Sequence, residues 1–114
     1  MKRGNEQRDL LPGTLEMLIL QTLRNGPLHG YAIAQHIRLT SDEVLQVDEG
    51  SLYPALQRLL RENLVSAEWG LSSRNRRVRT YQLTPAGRKR LERERAGFER
   101  LVEAIGRVMR PAES

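Results

Sequence analysis

One predicted helix carries polar side chains of the kinds that recognise nucleic acid. Tyr53, Gln57, Arg58 and Arg61 fall on its outward face, opposite a stripe of leucines. Glutamine can pair bidentately with adenine, and arginine can reach guanine or a phosphate. A tyrosine in the first turn is placed to donate its hydroxyl to a phosphate. This face therefore predicts contacts with both the bases and the backbone of a duplex.

A second group of cations follows in a segment that contains no acid. The net charge is +5, and the acidic residues avoid the stretch from Gly70 to Leu91. An arginine-rich composition explains the preference for arginine over lysine, but it does not explain this absence of acids. Such a local single-sign field is typical of a surface that meets phosphates. Three arginines at a predicted hairpin turn suit contact with phosphates or a narrow minor groove: Arg74, Arg76 and Arg77.

Other chemistry has little support in the sequence. The chain has no cysteine, which excludes disulfides and thiolate metal sites. His29 and His36 have no third ligand at a suitable spacing, so no metal or other cofactor is predicted, and His29 is expected to help cap the second helix. The serines have no recognisable base and orienting partner, so we do not expect an enzyme.

Size and hydropathy bound the class of protein. A chain of 114 residues suits one compact domain. The longest apolar run, Met17 to Leu20, is too short to span a bilayer, and no signal-peptide pattern is visible. We therefore expect a cytoplasmic protein without a membrane partner.

Three helices are predicted in the first half of the chain. Thr14 is a candidate N-cap for the first, and Ser51 for the third, which places Pro54 at its third helical position. Asn63 follows the third helix, where a left-handed residue is often required. The predicted helices cover about 15–24, 30–39 and 52–62, with a short strand at 44–47 between the last two.

A hairpin and a long helix are predicted in the second half. Two strands, about 64–69 and 76–83, flank a polar turn, and Trp69 is expected to pack this hairpin onto the domain. Thr84 and Pro85 then begin a helix that extends to about Met109.

The last predicted helix has a narrow apolar seam that needs a partner. Leu15 is also predicted to form a dimer contact, because the first helix is apolar on most sides. The seam itself consists of Leu91, Phe98, Leu101, Ile105 and Val108, with Glu94 interrupting its spacing.

The order of helix, helix, helix, basic hairpin and long helix is that of a winged helix-turn-helix protein. The fold class is therefore predicted as mainly α (α+β), a winged helix-turn-helix domain followed by a long C-terminal dimerisation helix. We predict a flexible arm at 1–10, the DNA-binding domain at 11–84 and the dimerisation helix at 85–114.

Four stretches resemble the PadR family of bacterial transcriptional regulators. They are Leu-Pro-Gly-Thr-Leu-Glu-Met-Leu-Ile-Leu at 11–20, His-Gly-Tyr at 29–31, Gly-Ser-Leu-Tyr-Pro-Ala-Leu at 50–56 and Tyr-Gln-Leu-Thr-Pro-Ala-Gly at 81–87. The resemblance implies an N-terminal winged helix that binds operator DNA and C-terminal dimerisation. Carried over, Tyr31, Ser51 and Tyr53 match positions near the DNA, and 74–77 matches the wing. With one C-terminal helix, the chain resembles the short subfamily.

The expected function is a homodimeric, sequence-specific regulator of transcription, and a repressor, that reads a pseudo-palindromic operator in double-stranded DNA. A winged-helix module that binds protein or RNA is the alternative, because the same fold serves such roles. The existence of a small-molecule effector stays open. An effector site is expected between the dimer helices or under the first helix.

Overall fold

The computed structural model describes residues 13–112. The arm predicted at 1–10 lies outside them. Four helices and a small antiparallel sheet, with strand order β1-β3-β2, follow in the predicted winged-helix layout, which confirms the fold class. The elements are α1 (Thr14–Leu23), β1 (Leu28–His29), α2 (Gly30–Thr40), α3 (Glu49–Arg61), β2 (Val65–Leu71), β3 (Arg77–Leu83) and α4 (Pro85–Met109).

The core lies where α1, α2 and α3 meet the start of α4 and the base of the sheet. Among the described residues, the fully buried large side chains are all leucine or isoleucine, which fits a tightly packed interior. They are Ile19, Leu20, Leu23, Ile33, Leu52, Leu56, Leu59 and Leu91.

The start of α1 differs from the prediction. Thr14 is the first helical residue rather than the N-cap, and Gly13 takes the cap position with φ 88° and no side-chain hydrogen bond. A positive φ is strained for most residues but not for glycine, so the glycine sets this boundary. At α2 the cap is the predicted one, since Ala32 N donates to His29 Nδ1 at 3.4 Å.

The strand predicted at 44–47 is wrong, and a two-residue strand elsewhere was missed. Asp42 and Glu43 both adopt positive φ, which turns the chain away from an extended path after α2. The additional strand is β1, in which Leu28 pairs with Tyr81 and His29 with Thr80. It makes β3 the central strand.

The third helix begins three residues earlier than predicted. Asp48, not Ser51, is the N-cap, and its carboxylate accepts a hydrogen bond from Ser51 N at 2.9 Å. Pro54 is therefore the sixth helical residue, and the carbonyl of Gly50 lacks its usual N–H donor. Gly50 and Pro54 are both exposed, so water can serve this carbonyl. Asn63 ends the helix with φ 61°, as predicted.

The last helix begins as the sequence indicates. Thr84 Oγ1 accepts from Gly87 N at 2.9 Å, and Pro85 occupies the first turn. Twenty-five residues span about 37 Å at 1.5 Å per residue. Its first turns pack in the core, where Gly87 lies so close to the backbone of Leu64 that a Cβ would overlap the Leu64 carbonyl oxygen.

Candidate nucleic-acid interface

The outward face of α3 is set by its leucine stripe. Leu52, Leu56 and Leu59 are buried, so Gln57 and Arg61 are left exposed on the opposite side. These two side chains therefore extend from the helix into solvent.

Tyr53 is partly exposed, and the hydroxyl end of its ring lies against α2. The side chain is 41% exposed, and its ring lies over Gly30 at the start of α2. A Cβ on Gly30 would lie 2.8 Å from the Tyr53 hydroxyl oxygen. Burial first, and then the charge of Glu49 and the proximity of Tyr81, raise the pKa of Tyr53 above 10.0. The hydroxyl therefore stays protonated at neutral pH and can donate to a phosphate oxygen.

Arg58 lies on a different side of α3 from Gln57. Its Nε donates to Glu16 Oε2 of α1 at 2.5 Å, and the Glu16 side chain is only 20% exposed. The predicted DNA contact of Arg58 stays a prediction, but the structure gives this guanidinium an intramolecular role that links α1 to α3.

We call the hairpin of residues 65–83 the wing. At its tip, Ser72 Oγ accepts from the backbone N–H groups of Arg74 and Arg76, both at 3.2 Å. Asn75 adopts φ 60°, which closes the turn. This turn presents Arg74 and Arg76 at the exposed end of the wing.

Trp69 does not pack the wing onto the domain, contrary to the prediction. It is 57% exposed, because its position on β2 lies beyond the part of the sheet that covers the helices. The guanidinium carbon of Arg77 lies 4.5 Å from the centroid of its ring, and that of Arg79 lies 5.7 Å away.

A groove of about 900 Å³ separates the wing from α3 and the start of α2; we call it the wing groove. Its lining combines aromatic and cationic side chains, and none of the lining residues is an aspartate or a glutamate. Several predicted contact residues meet here: Tyr31, Tyr53, Gln57, Arg74, Arg76 and Arg77. Ser51 is exposed in the first turn of α3, and Arg61 at its end, but neither lines this groove.

The predicted dimer residues divide into two sets. Leu15 and Leu91 are buried in the core of their own chain, with Leu91 fully covered, so these two positions offer little surface to a second chain. The remainder of the seam is exposed, and Val102 and Met109, which were not predicted as dimer residues, are exposed on the same helix. We call this set the apolar stripe: Phe98, Leu101, Val102, Ile105, Val108 and Met109.

Comparison with known families gives this arrangement an identity. Residues 19–93 match the sequence model of the PadR-like family of transcriptional regulators. The chain belongs to this family. Members of the PadR-like family are DNA-binding regulators of transcription and not enzymes. No helix within residues 13–112 combines the length and apolar character needed to cross a membrane.

Individual relatives agree with this assignment. Transcriptional regulator Rv3488 of Mycobacterium tuberculosis is 32% identical over 99 residues, which cover 86% of this chain and 88% of that protein. The crystal structure of a PadR family transcription regulator from Clostridium difficile matches with a TM-score of 0.76 and 27% identity, over 86% of this chain and 100% of that one.

A longer relative carries a similar sequence over part of its length. A 37.1 kDa protein in transposon Tn4556 of Streptomyces fradiae is 44% identical over 97 residues. The match covers 85% of this chain but only 26% of that relative, so this chain spans about a quarter of its length.

Among the lining residues of the wing groove that the sequence analysis did not name as site residues are His29, Trp69 and Arg79. The strand register is the signal that places the last two together, because Trp69 pairs directly with Arg79. Cross-strand partners on one face are close enough for their side chains to meet. The turn alone, which drew attention to the tip arginines, does not reveal this pair.

Proposed function

We propose that this PadR-like regulator reads operator DNA with α3 in the major groove and the wing on the backbone or in the minor groove. The observation that carries the proposal is the wing groove, whose aromatic and arginine lining lacks carboxylates. A duplex with its dense backbone charge fits such a surface. The proposed contact residues are Tyr31, Ser51, Tyr53, Gln57, Arg58, Arg61, Arg74, Arg76 and Arg77.

Sequence preference is assigned to Gln57, because it is exposed in the middle of α3 and its amide can pair bidentately with adenine. Gln57→Ala is expected to relax selection at one base pair per half-site at a cost of about 1–3 kcal/mol against the preferred base. The test first selects bound genomic fragments to obtain the shared site. Anisotropy titrations on that site and its single-base variants then follow. An equal loss on every sequence would remove Gln57 as a base-reading residue.

The backbone contribution is tested by salt. If a dimer neutralises about 6–10 phosphates, its affinity falls roughly 10³–10⁵-fold between about 50 and 200 mM salt. Structured RNA at matched salt is the competitor. Displacement of the duplex by RNA at equal concentration would favour the alternative function over operator binding.

We further propose that two chains associate through the apolar stripe on α4. Among the described residues, this stripe gathers several large exposed apolar side chains along one helix, which is typical of an interaction surface. In the domain division that we propose, 11–84 forms the winged helix and 85–114 carries the dimer contact. The first turns of α4 also pack against the core of the winged-helix domain.

The oligomeric state is tested by sedimentation equilibrium. Val102→Glu, in the stripe, is expected to give monomers and to weaken operator binding. Arg100→Glu places the same side chain on an exposed position away from the stripe and is expected to leave the dimer intact. Equal behaviour of the two variants would contradict this interface.

A two-fold dimer is expected to read half-sites centred roughly 34–36 Å apart, or a small multiple of this distance. We propose that it represses, because a dimer bound across such a site occludes a promoter that overlaps it. Transcription in vitro from a template with the selected site should fall as the protein is added. A rise in transcript would assign activation instead.

A further inference from the structure

Trp69 and two arginines form a cluster on one face of the wing. In the β2–β3 register, Trp69 pairs with Arg79, and Leu71 pairs with Arg77. Arg79 is therefore directly opposite the indole and Arg77 diagonal to it, and both guanidinium groups lie within the range of cation–π attraction. The indole can hold both cations in fixed positions.

Arg79 is the more constrained of the two. Its guanidinium carbon lies 5.7 Å from the Trp69 ring centroid and 5.8 Å from that of Tyr81. Its Nε is buried and has no hydrogen-bond acceptor within residues 13–112. A buried N–H without an acceptor costs free energy. Because this Nε has almost no accessible surface, an acceptor from outside would meet the guanidinium at its terminal Nη groups.

No acidic side chain in the described part of the chain forms an ion pair with Arg77 or Arg79. The neighbouring Glu68 points to the other face of β2, because successive side chains alternate along a strand. Both arginines line the wing groove, opposite Tyr53. An acceptor for the terminal N–H groups of these arginines is therefore expected from outside the chain, on the groove side.

Resting on the function proposed above, we propose that Arg79 and Arg77 bind backbone phosphate of duplex DNA and that Trp69 is the positioning residue for both. Arginine stacked by its face on an aromatic ring keeps the N–H groups at its edge free. Those edge groups match the oxygens of a phosphate in a bidentate arrangement. Trp69 thereby orients the donors before DNA arrives.

Salt dependence separates a phosphate contact from a structural role. Arg79→Ala is expected to weaken binding to the selected operator about 5- to 20-fold and to lower the slope of log K against log salt by about 1 per chain. Arg79→Lys keeps the charge but loses the planar fork, so its affinity should fall while the slope stays near that of the wild type. Arg100→Ala, the same loss of charge on exposed α4, should leave the affinity within about twofold and the slope unchanged.

The positioning role of Trp69 is tested by conservative replacement and by coupling. Trp69→Ala is expected to weaken binding about 3- to 10-fold, and Trp69→Phe should restore most of the loss because a ring remains under the arginines. In the Arg79→Ala background, Trp69→Ala should weaken binding by a smaller factor than it does in the wild type. The loss that remains would come from Arg77, which Trp69 also positions. Thermal unfolding of each variant checks that the fold persists.

Trp69 also reports on binding, because it is the one tryptophan of the chain. Its fluorescence should change on titration with duplex DNA at low salt. If Arg79→Ala keeps the affinity and the salt slope of the wild type, the proposed phosphate contact of Arg79 is wrong, while the proposed function stands. Equal losses for Trp69→Ala and Trp69→Phe, or fully additive losses with Arg79→Ala, would overturn the positioning role. Failure of the wild type to bind any duplex would instead overturn the proposed function.

Discussion

Gly30→Ala is expected to weaken operator binding while leaving the fold intact. The added Cβ would lie 2.8 Å from the hydroxyl oxygen of Tyr53 and 3.0 Å from its Cε1. Comfortable contacts need about 3.5 Å, so the ring must withdraw by roughly 0.5–0.7 Å. Tyr53 is 41% exposed and can move, so the strain falls on the position of its hydroxyl rather than on the core.

The size of the effect follows from the contact that the hydroxyl is proposed to make. A hydrogen bond to a charged group contributes about 1.5–3 kcal/mol, and a displaced donor keeps only part of it. We expect Gly30→Ala to cost about 1–2 kcal/mol of binding free energy, or roughly 5- to 30-fold in Kd. In the folded protein alone, replacing glycine at a compatible helical position is worth about 0.4–1 kcal/mol of stability, which offsets the crowding.

Anisotropy titration on the selected operator, with urea unfolding in parallel, measures both quantities. Tyr53→Phe removes the hydroxyl and serves as the second mutation of a double-mutant cycle. In the Phe background the further loss from Gly30→Ala should be small, since the donor is already absent. Unchanged affinity of Gly30→Ala, or losses that add fully in the double variant, would refute the reasoning.

Two further predictions concern stability. Gly87→Ala places a Cβ against the carbonyl oxygen of Leu64, so urea unfolding should show a loss of about 2–4 kcal/mol. Gly97→Ala, on the same helix with nothing within 4 Å of the added Cβ, should instead gain about 0.5–1 kcal/mol, and a loss equal to that of Gly87→Ala would contradict the argument. Glu16→Gln should cost at most about 1 kcal/mol, because the Arg58 side chain is 43% exposed and its pair with Glu16 is screened by water. A loss above about 3 kcal/mol in the same assay would indicate a fully buried pair.

Most of the helical framework could be predicted from the sequence because its signals are local. The cap of α4 at Thr84, the cap of α2 at His29 and the left-handed Asn63 each depend on a few neighbouring residues. The start of α3 was misplaced because Ser51 was taken as its cap, whereas the structure uses Asp48. Asp48 and Ser51 are both favourable, and the earlier one adds a helical turn.

The features that were missed depend on contacts between distant residues. Strand β1 has two residues and exists through pairing with Tyr81 and Thr80, some fifty positions later. The pairing of Arg58 with Glu16 likewise joins α3 to α1 across 42 positions. Helical periodicity places Arg58 on the outside of its own helix, but it does not say which neighbouring helix stands there.

The burial of Leu91 changes how DNA binding and dimerisation are related. From the sequence, α4 is predicted to be a dimerisation helix separate from the winged-helix domain. In the structure, however, Leu91 is fully buried in the core of that domain, and Gly87 is in contact with the backbone of Leu64. Phe98, where the apolar stripe begins, follows Leu91 by two turns, or about 10 Å, on the same uninterrupted helix. If two chains associate through this stripe, the direction of α4 fixes the position of each α3 relative to the dimer axis, with no hinge between them. The spacing of the operator half-sites would then be set where α4 leaves the core, so a substitution at Gly87 should disturb half-site spacing as well as stability.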